Sequence, residues 1–112
     1  MEKQAKKVIV IGSGVAGLAV AIRLALQGKQ VKVYEKNAYP GGKLTQIKLG
    51  AYTFDAGPSL FTLPHLVLEL YQAAGLDATE YFEYEEIEEA FYYHFSDNSS
   101  FYTHKDETRF RE

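Results

Sequence analysis

The sequence predicts an α/β fold that is built on a parallel β-strand–helix–β-strand unit near its N-terminal end. Three observations support this prediction. The apolar run 8–11 is followed at once by Gly12, Gly14 and Gly17, which have the G-x-G-x-x-G spacing. An apolar face at helical spacing follows these glycines, and a second apolar strand then ends in the acidic residue Glu35. Strand, glycine turn, helix and strand in this order are typical of a nucleotide-binding βαβ unit.

Each glycine of the motif has a separate predicted role. Gly12 permits a tight turn out of the first strand, and Gly14 lacks a Cβ, so that a pyrophosphate could approach the backbone. Gly17 allows the helix to lie close to the strand. The helix begins near Gly14 and directs its free N–H groups and the positive end of its dipole at the same place.

The helix and the second strand place Glu35 for a role in ligand binding. The apolar helix face comprises Val15, Leu18, Ala19, Ile22 and Leu26, and Gly28 predicts the end of the helix. Strand 30–34 then delivers Glu35, which lies 18 residues after Gly17. An acid at this distance accepts hydrogen bonds from a ribose diol and repels a 2′-phosphate, so FAD or NAD is favoured over NADP. In the alternative interpretation, the glycines serve only the packing of an ordinary βαβ unit.

The rest of the chain changes character twice. Residues 43–49 and 52–54 predict a short hairpin, and Pro64 to Ala74 predicts a buried helix that ends at Gly75. Glutamates within 83–89 predict an exposed strand or strand edge. Aromatic runs 91–95 and 101–104 flank a polar turn and predict a second hairpin, whose aromatic stripe is interpreted as sheet core. A further helix could begin at Asp106.

Composition and charge limit the possible partners. Residues 1–56 carry nine Lys and Arg against three Asp and Glu, whereas residues 57–112 carry three against twelve. The basic half therefore coincides with the predicted phosphate site. No basic stripe interleaves with aromatics, which argues against a nucleic-acid partner. The absence of cysteine excludes a disulfide framework and a cysteine nucleophile, and the three histidines lack the spacing of metal ligands.

Two further motifs carry a resemblance to a known family. Gly41-Gly42-Lys43 follows Glu35 after a turn-rich loop, and residues 54–62 read FDAGPSLFT. With the first motif, the glycine doublet resembles the flavoprotein superfamily that includes monoamine oxidase and protoporphyrinogen oxidase. The segment 54–62 resembles the phytoene desaturases and other carotenoid desaturases. The three motifs cover roughly residues 7–62, and Lys43 stands where the family more often has arginine.

The resemblance implies an N-terminal portion of an FAD-dependent oxidoreductase that desaturates an apolar polyene. The expected domains are a Rossmann-type FAD-binding part with an inserted hairpin, residues 1–76, and the start of an antiparallel substrate domain, residues 77–112, both incomplete. The expected cofactor-binding residues are Gly12, Gly14, Val15, Ala16, Gly17, Glu35, Lys36, Gly42, Lys43, Gly57, Pro58 and Ser59. No residue is identified as a catalytic base.

The resemblance also gives the expected partners and leaves alternatives open. The partners would be the polyene, the remainder of the protein's own chain and the surface of a membrane, reached from the cytoplasm. The alternatives are another flavin oxidoreductase of the superfamily (related to carotenoid isomerase, retinol saturase or amine oxidase) and a non-catalytic dinucleotide-binding fragment. On its own, a chain of this length is expected to be catalytically inactive.

Overall fold

A parallel pair of strands joined by one helix begins the computed structural model, which describes residues 5–106. Strand β1 (Lys7–Ile11) leads through the glycine turn into helix α1 (Val15–Leu26), and strand β2 (Gln30–Tyr34) returns beside β1. The pairing is parallel and in register from Lys7 opposite Gln30 to Ile11 opposite Tyr34. Apolar residues with β-branched side chains favour both strands, and the loop at Gly28 allows the helix to end. The predicted βαβ unit is confirmed.

A hairpin and a second helix follow. Strands β3 (Gln46–Leu49) and β4 (Tyr52–Asp55) pair antiparallel, with Gln46 opposite Asp55, so the predicted inserted hairpin is confirmed. Helix α2 (Pro64–Ala73) starts with the proline in its first turn and packs on α1. The exposed ion pair between Arg23 and Glu69, at 3.5 Å, joins the two helices. A 3₁₀ turn (Ala78–Glu80) then packs against α2.

Little of the described chain is removed from solvent. Among residues 5–106, only Ala78 and Ser13 are buried. The side chains of Ile9 and Ile11 on β1 are 64% and 88% exposed. Helix α2 was predicted to be buried, and this is wrong for the described structure, because its apolar residues are only half-buried or exposed. The described elements place one helical layer beside a two-stranded parallel sheet, so apolar faces on both are left open.

Residues from Glu83 onward form a second compact unit. Strands β5 (Glu89–His94) and β6 (Ser100–His104) make the predicted hairpin, with an irregularity in register between Glu89 and Tyr92. The strand predicted within 83–89 is wrong up to residue 88, where the structure has no regular element. Successive glutamates have low strand propensity, and β5 begins only where the aromatic run approaches.

The aromatic stripe of this hairpin is only half-buried. Rings of Tyr93 and Phe101 stack at a centroid distance of 4.9 Å, yet both side chains are more than two-fifths exposed. The interpretation of the stripe as sheet core is therefore not met within the described residues, since a two-stranded sheet covers neither of its own faces.

The chain divides into these two compact units between Phe82 and Glu83. The sequence predicted a boundary after residue 76, and the domain organisation of the whole protein stays a prediction. The helix predicted from Asp106 onward falls on residues outside the described range. Neither α1 nor α2, the α-helices of the described residues, has the length and apolar character that crossing a bilayer requires.

Candidate functional site

Eight of the twelve predicted site residues line one open cavity of about 550 Å³ at the carboxyl end of β1. The cavity is formed by the glycine turn, the start of α1 and the loop after β2. Its lining residues are Ile11, Gly12, Gly14, Val15, Ala16, Gly17, Gly41, Gly42, Lys43, Leu44 and Pro58. The carboxyl ends of parallel strands are where α/β folds commonly bind their ligands.

The glycine turn has the geometry that its sequence predicts. Gly12 has a φ of +94°, a backbone conformation that glycine adopts without strain. A Cβ on Gly17 would collide with the carbonyl oxygen of Gly12, so the predicted close approach of helix and strand is confirmed. A Cβ on Gly14 would meet nothing within 4 Å. The backbone of Gly14 is therefore open to a ligand.

The start of α1 offers an anion site. The helix begins after Gly14, and within the described residues no side chain caps it and no acid lies in its first turn. The N–H groups of the first turn have no intrahelical partners, and they carry the positive end of the helix dipole. Lys43 adds a positive charge, and it is the one charged residue among the described residues that line the cavity. A phosphate group fits these donors and this charge.

The glycine doublet packs directly onto the glycine turn. The Gly41 N–H donates to the carbonyl oxygen of Ser13 at 2.8 Å, and Gly14 and Gly41 form a parallel β-bridge. A Cβ on Gly42 would lie 3.1 Å from the Cα of Gly14. These contacts are made between backbones, so only residues without side chains allow the two loops to approach this closely.

Glu35 is tied to the same turn by its carboxylate. The N–H and hydroxyl of Ser13 donate to Glu35 Oε2 at 2.7 and 2.9 Å, and the Asn37 N–H donates to Oε1 at 2.9 Å. These hydrogen bonds, that from Asn37 first and those from Ser13 next, lower the pKa of Glu35 from its ordinary 4.5 to about 2. The carboxylate is therefore ionised at neutral pH and attached to the turn that lines the cavity.

Ser13 is the residue of this site that sequence reasoning missed. Its side chain is 5% exposed, although serine is a residue type mostly found on the surface. Sequence reasoning treated it as a variable position of the glycine motif. A hydroxyl between two glycines at the end of an apolar strand was the available signal, since a polar group that becomes buried there needs a partner.

The remaining predicted residues lie at the edge of this arrangement or away from it. A Cβ on Gly57 would collide with the carbonyl oxygen of Lys43, which places the 57–58 turn against Lys43 and Leu44, directly after the glycine doublet. Gly57 and Pro58 also line a second, smaller cavity of about 360 Å³ beside β3 and β4. Lys36 and Ser59 are exposed and are not among the described lining residues of either cavity.

This fold and glycine turn define a class of dinucleotide-binding proteins. Residues 10–74, more than half of the chain, match the NAD(P)-binding Rossmann-like domain family, and the chain belongs to that family. The matched range contains the glycine turn, Glu35 and the glycine doublet. A dinucleotide cofactor is therefore the ligand class of this family of sites.

Comparison with characterised proteins narrows the group of relatives. The chain is 55% identical over 96 residues to the 1-hydroxycarotenoid 3,4-desaturase of a Flavobacterium species, covering 86% of this chain and 20% of the relative. It is 40% identical over 94 residues to the 4,4'-diapolycopene oxygenase of a Methylomonas species, covering 84% and 19%. It is also 40% identical over 81 residues to the 4,4'-diapophytoene desaturase of Staphylococcus aureus, covering 72% and 16%. The chain thus spans about a fifth of the length of these relatives, and the resemblance to carotenoid desaturases is confirmed for that part.

Proposed function

We propose that this chain supplies the site for the ADP part of FAD in an oxidoreductase that desaturates an apolar polyene. The observation that supports this most is that the glycine turn and the glycine doublet with Lys43 line one cavity, while the glycine turn also holds the Glu35 carboxylate through Ser13. A phosphate site and an acidic ribose acceptor thus lie at the same turn, as in dinucleotide-binding βαβ units.

Each segment has a role that follows from its chemistry. The N–H groups at Val15 and Ala16, at the start of α1, would bind the pyrophosphate, with Gly12 and Gly14 leaving room for it. Lys43 would pair with a phosphate as a point charge. Glu35 would accept hydrogen bonds from the ribose, and its negative charge disfavours a 2′-phosphate.

The cofactor supplies the redox chemistry when it is bound, because a flavin accepts a hydride and thereby allows a carbon–carbon bond to be oxidised. The residues of this chain bind and orient it. In this proposal Gly57, Pro58 and Ser59 lie on the side of the isoalloxazine, as the resemblance of residues 54–62 to carotenoid desaturases implies, and the close approach of Gly57 to Lys43 keeps their turn beside the phosphate site.

The relatives support the substrate class in this proposal. Two of the three are named as desaturases of carotenoid-type compounds and the third as an oxygenase of one. Such a polyene is apolar and partitions into membranes, so the complete protein would take it from the cytoplasmic surface of a bilayer. The open apolar faces of β1 would pack against the remainder of the protein's own chain.

Replacing Glu35 by alanine in the complete protein tests the cofactor assignment. Loss of hydrogen bonds to a charged acceptor should weaken FAD binding about 10- to 100-fold. The ratio of flavin absorbance to protein absorbance, measured after gel filtration over a dilution series, reports this change. Glu80→Ala is the matched control, because Glu80 is exposed in the 3₁₀ turn and does not line the cavity.

The outcomes separate the two parts of the proposal. Unchanged FAD retention in Glu35→Ala would contradict the ribose role of this residue.

The substrate class is tested on the wild-type protein by adding a more saturated carotenoid precursor under anaerobic conditions. Loss of the oxidised flavin spectrum is expected, and a flavin that binds but is not reduced would contradict the desaturase assignment.

A further inference from the structure

Ser13 connects the glycine turn, which lines the cavity, to the end of β2 and to the glycine doublet. Its N–H and hydroxyl both donate to Glu35 Oε2, at 2.7 and 2.9 Å, across a separation of 22 residues. Its carbonyl oxygen accepts from the Gly41 N–H at 2.8 Å. The side chain is the most buried polar one among residues 5–106. One residue therefore links the glycine turn to the end of β2 and to the glycine doublet.

Within residues 5–106, the same pair of donors occurs twice more, in a different structural setting. Thr79 donates its N–H and hydroxyl to Asp77, and Ser99 donates both to Asp97. Those acceptors lie only two residues before their donors, so these bonds shape local turns. The Ser13 bonds instead join residues that are distant in sequence, and their acceptor is the predicted ribose ligand. A purely local turn function does not account for them.

We propose that Ser13 is a positioning residue whose hydroxyl orients the Glu35 carboxylate toward the ribose diol of the bound nucleotide. This inference rests on the proposed dinucleotide function and adds a residue to it. A carboxylate has about four lone-pair directions, and the hydrogen bonds from Ser13 and Asn37 occupy three of them, which fixes its plane and leaves about one for a hydroxyl of the ribose. An oriented acceptor loses less conformational freedom when the ribose binds.

The hydroxyl is the part of Ser13 that can be tested separately. Ser13→Ala removes the Oγ donor and keeps the backbone N–H bond to Oε2. A glutamate that has lost one of its three donors is less well oriented, so hydrogen bonds to the ribose should weaken. Contacts of the pyrophosphate with the start of α1 should remain, because the Ser13 hydroxyl makes no hydrogen bond to that helix.

The experiment compares two ligands in the complete protein after removal of its flavin. The dissociation constants of ADP and of 2′,3′-dideoxy-ADP are measured by calorimetry for the wild type and for Ser13→Ala. We expect the wild type to prefer ADP, and Ser13→Ala to lose about 3- to 10-fold of that preference. Binding of the dideoxy analogue should change less than about twofold, since it has no diol to present to Glu35.

Further variants keep the test decisive. Ser13→Cys, which is close in size and has a weak donor, should lose preference in the same direction if Ser13→Ala does not fold. Ser13→Thr keeps a hydroxyl and should restore the preference. Ser99→Ala is the matched control, since it removes the same kind of hydroxyl donor from Asp97 in the second unit and should leave both constants unchanged.

Each outcome bears on one hypothesis. Equal weakening of both ligands in Ser13→Ala would show that the hydroxyl only maintains the loop and would overturn the positioning role. Unchanged or tighter ADP binding would overturn it as well. Failure of the wild type to bind ADP at all would instead overturn the proposed function, on which this inference depends.

Discussion

The contact between the glycine doublet and the glycine turn can be tested by substituting two glycines that have nearly the same positive φ. Gly42 has a φ of +64° and Gly50, in the β3–β4 turn, has a φ of +61°. A Cβ on Gly42 would lie 3.1 Å from the Cα of Gly14, whereas a Cβ on Gly50 would meet nothing within 4 Å. Gly42→Ala therefore combines two effects, of which Gly50→Ala has only one.

The magnitudes follow from these two differences. A left-handed backbone costs a residue with a Cβ about 1–2 kcal/mol, and this cost applies to both variants. Gly42→Ala adds a contact between a side chain and the backbone of Gly14, which cannot rotate away. Overpacking of this kind costs about 1–3 kcal/mol. In the free energy of global unfolding, the two variants should therefore differ only by the cost of this added contact.

Hydrogen exchange of the complete protein measures this difference where it arises. The Gly41 N–H donates to the Ser13 carbonyl oxygen, so its protection reports whether the two loops remain in contact. In a peptide covering residues 38–44, Gly42→Ala should exchange at least about 5-fold faster than Gly50→Ala, because local opening of this loop relieves both costs at position 42 and neither cost at position 50. Equal exchange rates in the two variants would refute the conclusion that the loops contact each other through backbone atoms.

Three other predictions follow from described contacts. Gly57→Ala should displace the backbone of Lys43 and Leu44 and weaken FAD binding, and unchanged flavin retention would contradict the close approach of the two segments. The Glu35 carboxylate has a pKa lowered to about 2, so its stabilising effect is complete above the ordinary value of 4.5 and disappears as the pH falls toward 2. The difference in denaturant midpoint between wild type and Glu35→Gln should therefore be larger at pH 7 than at pH 3, and an equal difference would argue against these hydrogen bonds. Arg23→Ala should change the free energy of unfolding by at most about 1 kcal/mol, because its ion pair with Glu69 is exposed, and a larger loss in thermal unfolding would show that the pair is more strongly coupled.

Local signals in the sequence predicted the elements around the cavity well. The βαβ unit follows from glycine spacing, apolar periodicity and a terminal acid, which are features of neighbouring residues. Gly17 illustrates this best, because the predicted close packing requires only that a helix follow the strand. The hairpin at β3 and β4 was predictable for the same reason, since alternation around Gly50 encodes both strands.

Features that depend on distant residues were not predictable in the same way. Ser13 occupies a position that the glycine motif leaves variable, and its partner lies 22 residues away. The burial of α2 was overestimated because apolar periodicity shows which face avoids water, but not what covers it. The segment 83–89 was predicted to be an exposed strand because glutamates surround Tyr84 and Ile87 in it, whereas the low strand propensity of glutamate prevails up to residue 88.

The link between Ser13 and Glu35 has a consequence for protein engineers who would change the nucleotide preference of this site. Replacing Glu35 by an apolar or basic residue, in order to accept a 2′-phosphate, leaves two donors of a buried serine without their acceptor. The single replacement thus combines the intended gain with an unrelated loss of stability. A library of variants should therefore change residues 13 and 35 together, and each double variant should be evaluated as a unit.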